Sequence, residues 1–76
     1  MEPTVTRISD KRPTLQEAQA IVEGLIEFAF DNGSMQVIVN EEGFLMDMPI
    51  NIEASYLVGH PVVGPALVLT GKAMMD

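Results

Sequence analysis

Seventy-six residues with a formal net charge of −7 make one domain with a thin stability margin, because a chain this short buries only about 60% of the surface its unfolded form exposes. The lack of cysteine excludes disulfides and thiolate metal sites, and the single histidine excludes most imidazole-based ones. The hydrophobic fraction of 47% is ordinary for a globular chain, and no apolar run approaches the ~20 residues needed to span a bilayer.

Thr4-Val5-Thr6-Arg7-Ile8 is β-branched and predicts a short edge strand; with the polar connector to Pro13 it forms the N-terminal part of a single domain over 1–76. Thr14 followed by Glu17 is a capping-box signature, in which each side chain satisfies a backbone N–H of the other. Leu15, Ala18, Val22 and Leu25, flanked by Ile21, then recur at spacings of three and four, which is one apolar helix face. This periodicity could run to Phe30 and stop at Gly33. The favoured reading ends the helix at Gly24, which costs about 1 kcal/mol inside a helix but suits its end. Leu25 to Phe30 then becomes a strand with Ile26, Phe28 and Phe30 on one face.

Asp31-Asn32-Gly33 predicts a hairpin turn, because Asn-Gly accepts the positive φ that tight turns require. Met35 to Val39 is the return strand. Asn40-Glu41-Glu42-Gly43 predicts a second turn, and Phe44-Leu45-Met46 a third meander strand, broken at Asp47-Met48-Pro49. Asn51 caps a short helix through Val58; Gly59 closes it and Pro61 blocks continuation. Ala66 to Thr70 is a continuous apolar run, the pattern of a strand buried on both faces. Lys72 to Asp76 reads as a tail. The expectation is an α+β fold: a small, mostly antiparallel sheet of three to five strands with two short helices. Its core is expected to hold Leu15, Val22, Ile26, Phe28, Val37, Val39, Leu57, Leu67 and Leu69.

Charge is unevenly placed. The basic residues Arg7, Lys11, Arg12 and Lys72 lie near the chain ends, whereas Glu17, Glu23, Glu27, Asp31, Glu41, Glu42, Asp47 and Glu53 occupy a stretch without lysine or arginine. Such carboxylates are expected to face water, either as a solubilising surface or as a negative face that steers a basic partner. Direct nucleic-acid binding is not expected, because phosphate contacts need Lys and Arg. The opening Met1-Glu2-Pro3-Thr4 lacks the regions of a signal peptide, so a cytoplasmic location is expected.

Asn40-Glu41-Glu42-Gly43-Phe44-Leu45, followed by Met48-Pro49-Ile50-Asn51 and Ala54, resembles an uncharacterised family, domain of unknown function 3846. So do Leu15-Gln16, Val22-Glu23-Gly24, Ile26-Glu27 and the closing Val63-Gly64. The likeness covers roughly Val5 to Gly71. It implies a cytoplasmic accessory protein of bacteria, their phages or mobile elements, and it implies an extended segment after Gly24. It assigns no activity, cofactor or site residue.

The Asn40–Gly43 turn with Asp47 is the most distinctive polar cluster, but it lacks the alternating acids of a calcium loop. His60 has no nucleophile or orienting group at a telling spacing; Ser34, Ser55 and Thr70 could reach it only through the fold. Helix capping accounts for Asn51, and Tyr56 is expected half-buried. Met46 and Met48 read as gap-fillers, Met74 and Met75 as part of a loose tail. No glycine cluster forms a phosphate loop. With neither a metal site nor a cofactor site legible, the leading expectation is a non-enzymatic interaction protein. It would bind a host or cellular protein with a basic surface through Asn40, Glu41, Glu42, Asp47 and Asn51, in one version as a nucleic-acid mimic. The alternative is a small-molecule or nucleotide-binding oligomer, for instance a homodimer, with a pocket built from loops such as Gly59 to Pro65.

Overall fold

A computed structural model describes residues 3–76. Its chain order is β1 (Val5–Ile8), α1 (Leu15–Val22), β2 (Ile26–Asp31), β3 (Met35–Asn40), α2 (Ile52–Val58) and β4 (Ala66–Thr70), closed by a 3-10 turn over Gly71–Ala73. The four strands form one sheet in the order β1-β4-β3-β2. β4 pairs antiparallel with β3 and β3 with β2, while β1 pairs parallel with β4. The α+β class with a mostly antiparallel sheet and two short helices is therefore as expected; the parallel edge makes the sheet mixed.

The local signals act where the sequence puts them. The Thr14 side chain accepts from the Glu17 N–H and the Glu17 carboxylate accepts from the Thr14 N–H, so both halves of the capping box are present. The helix stops after Val22, with Glu23 taking the left-handed conformation (φ 66°) one residue before the expected glycine. In the hairpin, Asn32 Oδ1 accepts from the Ser34 and Met35 N–H groups. α2 starts on Asn51 and closes on Gly59, whose φ of 91° suits glycine.

β3 and β4 sit in the centre and alternate between two cores. Ile38, Leu67 and Leu69 meet Ala18 and Val22 of α1 on one face. Val37, Val39, Ala66 and Val68 meet Ala54 of α2 and Val62 on the other. Burying each large aliphatic side chain of these sets contributes about 1.5–3 kcal/mol.

Several expectations fail, each for a local reason. Phe28 keeps the face of Ile26, opposite Ile38, but lies on the edge strand β2 and is 42% exposed; a bulge follows it, between Phe28 and Phe30. The extra residue breaks the two-residue alternation, so Ile26 packs with the α1 core and Phe30 with the α2 core. Leu15, the first helical residue, is 51% exposed; Ile21 packs on the core from that helix instead. Phe44-Leu45-Met46 is not a strand. Met46 N–H donates to Glu42 O, Asp47 N–H to Phe44 O and Met48 N–H to Gly43 O. The segment coils on itself, with Asp47 left-handed at φ 56°, and its backbone groups have no need of a sheet edge. Nor is the chain end loose. Ala73 is buried, Met74 and Met75 pack on the α1 core, and Gln36 exchanges hydrogen bonds with the Met75 N–H (2.7 Å) and carbonyl (2.6 Å).

Candidate functional site: the loop end of the sheet

Because β1, β2 and β4 run one way and β3 the other, the sheet has two distinct ends. At the hairpin end lie the segments 9–14, 31–35 and 71–76. At the loop end lie the start of β1, the α1–β2 connection, and the segments 41–51 and 59–65.

The five residues singled out in the sequence all fall at the loop end, but they divide into two kinds. Asn40 and Asn51 are buried (4% and 1% exposed). Asn40 donates from Nδ2 to the Val22 and Glu23 carbonyls and accepts the Glu42 N–H on Oδ1, tying the end of α1 to β3. Asn51 donates from Nδ2 to the Thr4 and Gly64 carbonyls and accepts the Ala54 N–H, tying β1, the 62–65 segment and α2 together. Their amides are consumed internally. Glu41, Glu42 and Asp47 are exposed and remain the surface members of the set.

What sequence reasoning missed is how many large apolar side chains are exposed in the segment that carries and follows these carboxylates. Of the nine exposed large hydrophobic side chains among the described residues, six fall within 44–56: Phe44, Leu45, Met46, Ile50, Ile52 and Tyr56. Leu45 is 86% exposed and Tyr56 87%. The expected half-burial of Tyr56 and the gap-filling role of Met46 are thus both corrected. α2 turns Ala54 inward, which leaves Ile52 and Tyr56 on its outer side. The sign in the sequence was the density of large apolar residues in a segment that also carries Glu41, Glu42, Asp47, Pro49 and Glu53.

The loops beneath this surface are tightly held. Asn51 N–H donates to Val62 O and Gly64 N–H to Pro49 O, both at 2.8 Å, around an antiparallel bridge of Ile50 with Val63. The Ser55 hydroxyl donates to Asn51 O and accepts the Val62 N–H. Gly43 lies so close to Val63 that a Cβ there would meet its Cγ2 at 2.9 Å, so this turn needs glycine to seat the loop.

The electrostatics follow from topology. Lys11, Arg12 and Lys72 gather at the hairpin end, where Arg12 pairs with Asp76 at 3.2 Å. Arg7 of β1 pairs with Glu53 of α2, an exposed pair worth about 0–1 kcal/mol. Glu23, Glu27, Glu41, Glu42 and Asp47 share the loop end without a cation among the described residues bonded to them.

His60 is exposed, with Nδ1 3.3 Å from the Pro61 carbonyl. Ser34 and Thr70 lie at the far end of the sheet from it, and the Ser55 hydroxyl is engaged as described. Among the described residues no group of three His, Cys, Asp or Glu is placed to hold a metal ion, and no helix is long and apolar enough to cross a membrane. The cleft beside Gly64 and Pro65 is lined also by Thr4, Glu23, Met48 and Pro49; it offers a phosphate no cationic side chain.

A family model described as domain of unknown function (DUF3846) matches residues 1–74. No curated protein and no solved structure matches the chain. Covering nearly all of its length, the match shows that the chain belongs to the DUF3846 family.

Proposed function

We propose that this DUF3846 protein is a small non-enzymatic accessory protein that binds another protein in the cytoplasm of a bacterium or of a phage-infected host, using the loop end of its sheet. The observation that carries the reading is the crowding of Phe44, Leu45, Met46, Ile50, Ile52 and Tyr56 at the surface of one end of the molecule. Large apolar side chains exposed in number on a small domain mark an interaction site, and exposed aromatic residues anchor such interfaces. The carboxylates of Glu41, Glu42 and Asp47 share this end and supply the sign of the field. They steer the surface toward a partner whose rim is basic and away from acidic surfaces. In the nucleic-acid-mimic form of this reading, the same carboxylates stand in for phosphates in a cationic groove.

Capture of protein from a bacterial lysate tests the reading, with the wild-type chain compared with Leu45→Ser/Tyr56→Ser and Glu41→Gln/Glu42→Gln variants. A specific partner should be lost with the first pair and held more weakly, with a shallower salt dependence, by the second. Duplex DNA should displace the partner in the mimic form and leave it bound otherwise. Capture indifferent to all four substitutions overturns the proposal.

A further inference from the structure

The loop-end surface contains two adjoining depressions of different chemistry. The first is lined by Ile50, Ile52, Ser55, Tyr56, Gly59 and His60 and is mostly apolar. The second, about 100 Å³, is lined by the buried Val39 and Val62, by Phe44 and by the acidic residues Glu27 and Glu41. His60 lines both, so they are neighbours on one surface. Glu27 and Glu41 form no ion pair among the described residues, and no lysine or arginine lines either depression.

We propose that these depressions are two subsites for a single linear peptide segment of the partner: an aliphatic or aromatic side chain rests against Ile52 and Tyr56, and a nearby lysine or arginine reaches past His60 to Glu27 and Glu41. This rests on the protein-binding reading above and adds the sequence chemistry of the partner. Charge complementarity selects the occupant. A cationic head group placed in the second depression meets two unpaired carboxylates, and the Phe44 ring adds a cation–π contact if the group lies over its face. An acidic residue there would face like charge. The side-chain stem of lysine or arginine also suits the apolar lining of Val39 and Val62. The frame is preorganised, since the hydrogen bonds among Asn51, Ser55 and Val62 fix the segment that carries His60 relative to α2. A peptide therefore binds without first ordering its receptor.

Selection of binders from a random-peptide display library on the immobilised protein tests this. Enriched peptides should carry lysine or arginine within a few residues of a large apolar side chain. Their affinity should fall roughly fivefold for Glu27→Gln/Glu41→Gln, as loss of exposed charge pairs implies, and more for Tyr56→Ser. Enrichment of purely apolar peptides that still lose binding with Tyr56→Ser overturns the two-subsite inference and leaves the protein-binding surface standing. Enriched peptides indifferent to Tyr56→Ser and Phe44→Ser, or no enrichment at all, overturn both. Circular dichroism on each exposed-site variant separates lost binding from lost fold.

Discussion

The two ends of the sheet solve the same problem, closing the chain around a small core, in opposite ways. The hairpin end is compact and charge-matched. A tight Asn32-Gly33 turn joins β2 to β3, the last residues fold back onto the α1 core, and Arg12 meets Asp76 there. The loop end spends far more chain. It holds a self-coiled segment and α2, braced beneath by two buried asparagines, and it faces water with large apolar side chains and unmatched carboxylates. In a chain this short, exposed apolar surface on that scale forgoes stabilisation that the core could use. The loop end thus reads as a surface kept for contact, the hairpin end as a closure.

Substitutions can break this contrast in order of size. Asn51→Ala should be the most damaging, by about 3 kcal/mol, because it removes the α2 cap, deprives the buried Gly64 carbonyl of its amide donor and leaves the Thr4 carbonyl with the Ala66 N–H alone; urea unfolding monitored by circular dichroism measures it. Gln36→Ala, the counterpart at the hairpin end, should cost about 1–2 kcal/mol by the same measurement, since it frees one N–H and one carbonyl of Met75. It should also raise amide exchange at Ala73 to Met75 while sparing α2. Leu45→Ser should change stability by less than about 0.5 kcal/mol, as expected for an exposed position away from caps and core. A large loss there would show that the exposed loop-end side chains are structural and erase the contrast.

Much of the fold was legible because its signals are local. The capping box at Thr14 and Glu17, the Asn-Gly turn, the Asn51 and Gly59 caps and the uninterrupted Ala66 to Leu69 run each act within a few residues, and each element formed where expected. The short apolar run at Phe44 to Met46 misled because hydrophobicity without alternation or a partner strand does not specify extension. The candidate site was half legible. Glu41, Glu42 and Asp47 stand out by their chemistry, but nothing near Asn40 or Asn51 in the chain reveals carbonyls at Val22, Thr4 and Gly64 waiting for their amides.

The sequence by itself determined the class of the fold, the main elements, the acidic balance and the separation of basic residues toward the chain ends. It could do so because capping, turn chemistry and periodicity are properties of neighbouring residues. Only the tertiary structure decided that β1 closes the sheet in parallel beside β4, and that the bulge in β2 divides Ile26 and Phe30 between two cores. The tertiary structure also gathered Lys11, Arg12 and Lys72 at one end of the sheet, leaving Phe44, Tyr56 and their carboxylate neighbours at the other. Those outcomes depend on strand pairing between residues remote in sequence, where register and direction set which side chains share a surface.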